Sequence, residues 1–472
     1  MNAHLSRRLT LASSVTGAVI VALDGTVLTV AQPTLQRDLH ATFAQVQWTS
    51  TGYLIAVASL LVFAGRLGDR YGHQQVFAVG ILGFGATSAG IGCAPGIGWV
   101  IGLRVAQGVF GALLQPATLG MLRAAYPADR LAMPIALRTS AIGLAAAAGP
   151  VIGGALVTTL GWRAVFFLNV VPALVMGGSA LAVRGPARHR ATAGGLDVPG
   201  ACLLAAALVS LVHTLVGIPQ TGWTTSSALG LLVVVAAGAA FVRHEQRTAS
   251  PLVPHDVLGS ATVGAALGIL VAASAAMLGS LFVGSYYLQE VLDLDPLQTG
   301  LRALPGAVMM VLGAPVAAVL LRRQGARRTT LAGMTTLTAG VLLLSRLGRA
   351  STAVPIGSGF LLLGAGFATV MVTATAVLVR HASAESAGVA GGLQQTAMNV
   401  GPTLGVAAAT LLMTPTTGVS IGPPLTALAA ASALGTLLAL RLPGAAGTPV
   451  RNRKESTNKY GADDGSWIRR GP

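Results

Sequence analysis

From Leu9 to Leu442 the chain reads as apolar runs of about 20 residues in near-continuous succession, with charge confined to the short breaks between them. That is the length a helix needs to cross a hydrocarbon core of about 30 Å. In lipid every backbone donor and acceptor must be satisfied internally, so runs of this kind fold as helices. Of 472 residues, 53% are hydrophobic and only 9% charged, too little charge to cover a soluble surface. The expectation is an all-α membrane protein with about fourteen transmembrane helices. Their centres fall near Val21, Ala56, Phe84, Gly108, Leu144, Leu174, Ala206, Val234, Ala273, Val311, Leu337, Gly366, Val406 and Leu434.

Orientation follows from the basic residues of the short loops. With the N-terminus cytoplasmic, the inner loops hold Arg66, Arg70, Arg123, Arg130, Arg184, Arg188, Arg190, Arg243, Arg247, Arg322, Arg323, Arg327, Arg328 and Arg380. The outer loops hold far fewer, chiefly Arg37, Arg163, Arg302, Arg346 and Arg349. Both termini are expected inside. Trp48, Trp99, Trp162 and Trp223 sit at span ends that the charge pattern had placed outside, where indole rings favour the interface. The net charge of +16 is then a topology signal and an attraction to anionic inner-leaflet lipid, and no basic stripe with interleaved aromatics suggests nucleic acid. Arg7 and Arg8 precede an apolar run as in a signal peptide, but Asp24 interrupts that run and no A-x-A site follows, so it reads as a retained first span. Cys93 and Cys202 fall in apolar runs, where a buried thiol acts as a small hydrophobe, and no disulfide framework is implied.

A weak internal repeat accompanies this organisation. Placing Gly72 on Gly325 sets DRYG against RRQG, with Arg70 on Arg323, while Asp69 has Arg322 opposite it. The expected domains are a six-helix bundle over 1–190, two additional linker helices over 191–258, a second six-helix bundle over 259–442 and a disordered cytoplasmic tail over 443–472.

Several stretches resemble one family. GRLGDRYGHQQ, Gly65 to Gln75, is similar to the loop signature of the major facilitator superfamily, and the span count resembles its drug:proton antiporter branch. LDGTVLTVAQP at Leu23–Pro33, LRVAQGVFGA at Leu103–Ala112 and GLAAAAGPVIGG at Gly143–Gly154 resemble that branch's motifs of the first, fourth and fifth spans. GWRAVFFLNVVP, YYLQEVLDLDPLQTGL and GVAGGLQQTAMNVGPTLGVA resemble it too, so the likeness covers nearly the whole chain outside the tail. It departs from the pattern at His73, Gln74 and Gln75, where the family usually has basic residues.

The resemblance implies a major facilitator fold in a 6 + 2 + 6 arrangement. It implies a proton-coupled exporter of small, mostly hydrophobic drugs or antibiotics, working by alternating access as a monomer in a bacterial inner membrane. Its partners are then a small-molecule substrate, protons and the lipid bilayer, with no cofactor and no nucleic acid. A carrier of the same fold for a metabolite or lipid, or an importer, is the alternative.

Asp24 lies mid-span, where an acid costs roughly 2.5–3.5 kcal/mol on insertion scales, so a proton or substrate role stands beside that of an acid lining a wet cavity. Arg104, with Gln107 one turn on, stays charged and cannot itself carry a proton, but it can tune an acid or hold a relay; the alternative is snorkelling to an interface. Arg138, near the inner end of the fifth span, is read either way. Gly65, Gly68 and Gly72 allow a close, sharp turn from which Asp69 and Arg70 can latch two bundles, or they form only a tight turn carrying topology charge. Gly143, Gly149, Pro150, Gly153 and Gly154 form the antiporter motif, or ordinary small-residue packing such as Gly388, Gly392, Gly401 and Gly405 also offer.

Tyr286, Tyr287, Gln289, Gln394, Gln395 and Asn399, with Asp24, are the candidate cavity residues, the tyrosines being equally belt residues. His213 reads as a packed helix residue, and Glu290, Asp293 and Asp295 as a solvated acidic face.

Enzymatic classes find little support. GVSIG at Gly418–Gly422 fits G-x-S-x-G but has no preceding strand. His244-Glu245 lacks the second histidine of a zinc motif, and no lysine precedes Lys454, which excludes a phosphate loop in the apolar region. A passive channel would need a ring of like charges, and none is present.

Overall fold

The computed structural model describes residues 3–182, 196–222, 224–248, 251–254, 259–294, 296–349, 351–382, 386–413 and 421–443. Their regular structure is helical throughout. In chain order the helices are α1 (Ala3–Asp38), α2 (Phe43–Tyr71), α3 (His73–Gly92), α4 (Ile97–Ala125), α5 (Ala132–Leu160), α6 (Trp162–Phe167) and α7 (Val170–Ala182). There follow α8 (Val198–Thr221), α9 (Thr225–Glu245), α10 (Ala261–Tyr286), α11 (Pro296–Ser345), α12 (Ala353–His381), α13 (Ala387–Leu412) and α14 (Gly422–Ala439).

Two reversals show why glycine is where it is. Gly72 alone joins α2 to α3 at φ 98°, and α11 breaks at Gly325, φ 82°, a conformation that a residue with a Cβ adopts at a cost of roughly 1–2 kcal/mol. The two glycines paired by the sequence repeat thus do the same work in two places. Elsewhere side chains punctuate: Thr42 and Gln45 form a reciprocal cap at the start of α2, and Ser260 caps α10.

Among the described residues, twelve helices are long and apolar enough to cross a membrane. One of them, within α11, is the 48-residue segment Gln298–Ser345 that contains the Gly325 break. Helix α13 is 26 residues long but falls outside the twelve, because glycine, glutamine, asparagine and threonine dilute its apolar content.

Helices α1–α7 enclose cores around Phe77, Phe84 and Leu114 and around Leu28, Leu35 and Trp162. Helices α10–α14 share another, around Ile269, Met334, Phe360 and Leu363. The two groups meet near the Gly72 end, where Ala132 and Ala136 of α5 pack on Ala314, Ala317 and Ala318 of α11 and Ala368 of α12. Ile135 joins Leu119 and Leu122 of α4 to Ala376 and Val379 of α12. Helix α8 lies against α9, α2 and α13. The Glu245 carboxylate at the end of α9 accepts the Leu252 and Val253 amides at 3.0 and 2.9 Å, fixing the connection toward α10.

Several expectations change here. Trp48 and Trp99 are exposed, as interfacial rings should be, but Trp162 is 1% exposed and packs edge-on to Phe166. It is a core residue, because the short α6 turns its ring inward. Cys93 and Cys202 are exposed rather than buried. His213 is exposed too, with its ring 6.4 Å from that of Trp48. Glu290 and Asp293 are exposed, as a solvated face requires. Trp223, Arg184, Arg188, Arg190, Asp295, residues 418–420 of the GVSIG stretch and residues 444–472 of the tail lie outside the described residues.

Candidate transport site

Asp24, Arg104 and Gln107 come together in one buried cluster, at 3%, 1% and 0% exposure. Asp24 comes from α1, and Arg104 and Gln107, one turn apart, from α4. Arg104 Nη1 donates to Asp24 Oδ2 at 2.7 Å and also to Gln107 Oε1, while its Nε donates to the Thr49 carbonyl at 3.0 Å. Gln107 Nε2 reaches Ser88 Oγ at 2.6 Å and Asp24 Oδ1 at 3.4 Å. Asn169 Nδ2 donates to the same Oδ1 at 3.1 Å. Both carboxylate oxygens are therefore satisfied, and the arginine neutralises the acid inside the helix bundle. The guanidinium carbon also lies 4.4 Å from the centroid of the Tyr53 ring, a cation–π contact, while the buried Tyr53 hydroxyl has no partner among the described residues.

Sequence reasoning missed Asn169, Ser88, Thr49 and Tyr53. Asn169 sits in the break between α6 and α7, and that break aims its amide at Asp24. The signal available was an asparagine in an apolar run, a weaker cue than a charge. An arrangement of this type suits a group that changes protonation. Arginine stays charged, so the carboxylate is the member that can accept a proton, and doing so dissolves its pairing with Arg104.

Asp69 lies at the end of α2 and spans to the other group of helices. Its Oδ1 accepts the Gly388 amide at 2.7 Å and its Oδ2 the Val389 amide at 3.0 Å, an anion seated on the N-terminus of α13. His73 Nε2 stands 3.3 Å from Asp69 Oδ1, so a histidine takes a place beside the acid, where it carries charge only when protonated. Gln74 donates to the Ala180 carbonyl of α7 at 2.9 Å. A Cβ on Gly65 would collide with the Gly388 carbonyl, and one on Gly388 with that of Gly65, so the two backbones meet directly. Gly68 is packed under the His73 ring, and Arg70 lies 5.6 Å from the Tyr71 ring.

The glycines of α5 divide by face. A Cβ on Gly149 would strike Thr26 and one on Gly153 would meet Val27 at 2.8 Å, both on α1, whereas Gly143 faces Met310 of α11 and Gly154 faces nothing within 4 Å. The helix continues through Pro150. Gly149→Ala is therefore expected to destabilise the protein by about 1–3 kcal/mol through overpacking, and Gly154→Ala to be neutral or slightly stabilising. Thermal unfolding of the two purified variants distinguishes them; equal effects would remove the assignment of faces.

The remaining candidates do not gather at one point. Tyr287 is 2% exposed and donates to the Gly348 carbonyl at 2.8 Å, so it fastens the loop after α11. Gln394 is fully buried beside Met371. Neither offers its side chain to a cavity in this arrangement of the helices, because packing within α10–α14 claims both. Tyr286 is exposed and in contact with Phe282, Gln289 donates to Ser285, and Asn399 donates to the Gln395 carbonyl of its own helix.

A family model described as the Major Facilitator Superfamily matches residues 15–406. The chain belongs to that superfamily. Its members are transporters, so this is a multi-pass membrane carrier and not an enzyme. The chain is 42% identical to the tetracenomycin C resistance and export protein of Streptomyces glaucescens, over 86% of this chain and 75% of that one. It is 33% identical to a puromycin resistance protein of Streptomyces alboniger, over 85% and 80%. Identity is also 33% to the methylenomycin A resistance protein of Streptomyces coelicolor, over 90% of each. The fold is similar to that of the human organic anion transporter MFSD10, with a TM-score of 0.66 over 92% of this chain and 99% of that one; at 15% identity the likeness concerns the fold alone.

Proposed function

We propose that the chain exports antibiotics or drugs, small and largely apolar, in exchange for protons. The buried Asp24–Arg104–Gln107–Asn169 cluster carries this reading. A bilayer tolerates an ion pair of this kind poorly unless it is used, and relatives that share most of the chain's length are resistance and export proteins. Asp24 is the proton acceptor, Arg104 and Gln107 set its surroundings, and Asn169 holds the carboxylate in place. One elementary charge crossing 100 mV supplies about 2.3 kcal/mol, enough to hold a substrate ratio of roughly 40.

The wider reading is a fourteen-span carrier, reached by counting the two arms of α11 separately and adding α13. Residues 1–190 and 259–442 are then the two bundles, 191–258 the pair of extra helices and 443–472 a cytoplasmic tail, with both termini inside. On this orientation the Gly72 end is cytoplasmic. The contacts there, Gly65 on Gly388 and Asp69 on the start of α13, support a conformation closed to the cytoplasm. A cysteine replacing Ser226 is expected to react with impermeant thiol reagents from outside and one replacing Ala326 not to, after Cys93 and Cys202 are changed to serine; labelling of the latter from outside would overturn the orientation.

The test of function is growth of a sensitised bacterial host, with and without the chain, on tetracenomycin C, puromycin, methylenomycin A and unrelated apolar toxins. Resistance to at least one is the expected result. A flat response across the set would point to a metabolite or lipid carrier.

A further inference from the structure

Arg138 is the buried cation that the transport cluster leaves unused. It lies on α5, the helix that carries the seam residues Ala132, Ile135 and Ala136, at 3% exposure, yet among the described residues its side chain makes no hydrogen bond or ion pair, and its Nε is a buried donor with no partner. The surrounding seam is apolar: Ile135, one turn before it, packs with Leu119, Leu122, Ala376 and Val379. Among the described residues two further buried hydroxyls lack partners, those of Thr139, next to Arg138 on α5, and of Thr375, next to Ala376 on α12. Of the four described acids of residues 1–182, Asp24 is held by Arg104 and Asp69 by the start of α13, while Asp129 is exposed beside Arg130 and Asp38 is exposed, and none of them pairs with Arg138. A guanidinium cannot shed its charge to escape burial. Among the described residues nothing supplies its counter-charge.

A groove of about 460 Å³ opens on the same seam, one residue away along α5. Leu11, Met133 and Leu137 form its apolar side, and Arg7, Arg130 and Arg322 are its cations. These three are exposed, and Arg130 is shared with Asp129 at 3.9 Å, so alone they would be topology charges. Together they make this groove electropositive, and Leu137, which lines it, is the residue next to Arg138 on α5.

We infer that this carrier takes molecules with an apolar body and one anionic group, a carboxylate or an ionised phenol, and that Arg138 is the residue that receives the anion. The inference rests on the export reading and adds a substrate class to it. Alternating access gives it a mechanism. When the seam opens, Arg138 is solvated and available; when the seam closes, an uncompensated cation resists burial and a paired one does not, so closure favours the anion-loaded carrier. The charge thereby selects substrate at the step that commits it to export.

The test uses three probes that share one apolar body: pyrenebutyrate, pyrenebutanol and pyrenebutyl-trimethylammonium. The full chain is reconstituted in phosphatidylcholine vesicles with an imposed pH gradient. Pyrenebutyrate is expected to be transported best. Arg138→Met and Arg138→Gln should reduce its rate about tenfold to a hundredfold, the worth of a hydrogen-bonded charge contact. Pyrenebutanol transport should be unchanged, and Arg138→Lys should recover much of the loss. An equal loss for all three probes, or a wild-type preference for the alcohol or the cation, overturns the inference.

If none of the probes moves, the export reading is still decided by the growth screen, and binding decides the inference. Pyrenebutyrate should raise the unfolding temperature of the wild-type chain and not that of Arg138→Met, and a shift shared by both or absent from both overturns it. A lipid headgroup offers the same chemistry, so the measurement is repeated with phosphatidylglycerol added. An Arg138 effect that follows the lipid and ignores the probe would make the anion a lipid and overturn the substrate assignment.

Discussion

Asp24→Asn is expected to abolish uphill export while leaving a folded protein that still binds neutral substrates. The amide nearly preserves the shape of the carboxyl and can still accept from Arg104 or Asn169, but it no longer takes a proton. A site that binds protons equally in both conformations shifts nothing, so the gradient loses its hold on the carrier. The sustained substrate ratio should fall from roughly 40 at 100 mV to about 1. Stability will fall as well, because Arg104 loses its counter-charge, and removing one partner of a buried pair costs about 3–5 kcal/mol in the most sensitive cases. Size-exclusion profiles and substrate binding separate that effect from lost coupling. Undiminished gradient-driven efflux in the variant would leave Asp24 a structural acid.

Asp69→Asn is expected to loosen the Gly72 end. The carboxylate holds two amides of α13 with both oxygens, and hydrogen bonds to a charged group contribute about 1.5–3 kcal/mol. Asparagine keeps one acceptor and no charge, so the balance between closed and open should move about tenfold to a hundredfold toward open. A cysteine at Ala136, in the seam with Ala314 and Ala368, should then be labelled correspondingly faster in the variant. The same change at Arg322 should have little effect on the seam, since the second copy of the loop has no acid. Unchanged labelling of Ala136→Cys in the Asp69 variant would show that the contact with α13 does not hold the seam.

The all-helical, membrane-spanning character of the chain and the ionisable residues that meet in the buried cluster stood out before any coordinates, and the reason is the same in each case. Charge is expensive in a bilayer, so Asp24, Arg104 and Asp69 stand out against apolar sequence, and glycine at Gly72 and Gly325 marks reversals that other residues make poorly. What could not be read was direction. In water a helix shows its buried face by an apolar stripe, but in lipid both faces are apolar and the contrast vanishes. Trp162 and Tyr287 therefore looked like interfacial or cavity residues when they are packed inside, and Cys93 and Cys202 looked buried when they face outward. Asn169 and Ser88 were passed over because a neutral polar residue in a span is common, and only the break between α6 and α7 turns Asn169 toward the acid. Arg138 was ambiguous for the same reason: a snorkelling arginine and a buried one have the same sequence, and only the packing of Ile135 and its neighbours decides between them.

The central claim is that Asp24 links proton movement to substrate movement. The most direct measurement is proton flux on addition of substrate, tetracenomycin C or whichever compound the growth screen selects, to vesicles that contain the chain and a pH-sensitive dye. In the wild-type chain, substrate is expected to trigger proton movement in the opposite direction to its own, and in Asp24→Asn it should trigger none. Substrate transport without proton movement in the wild-type chain, or equal proton movement in the two proteins, would contradict it.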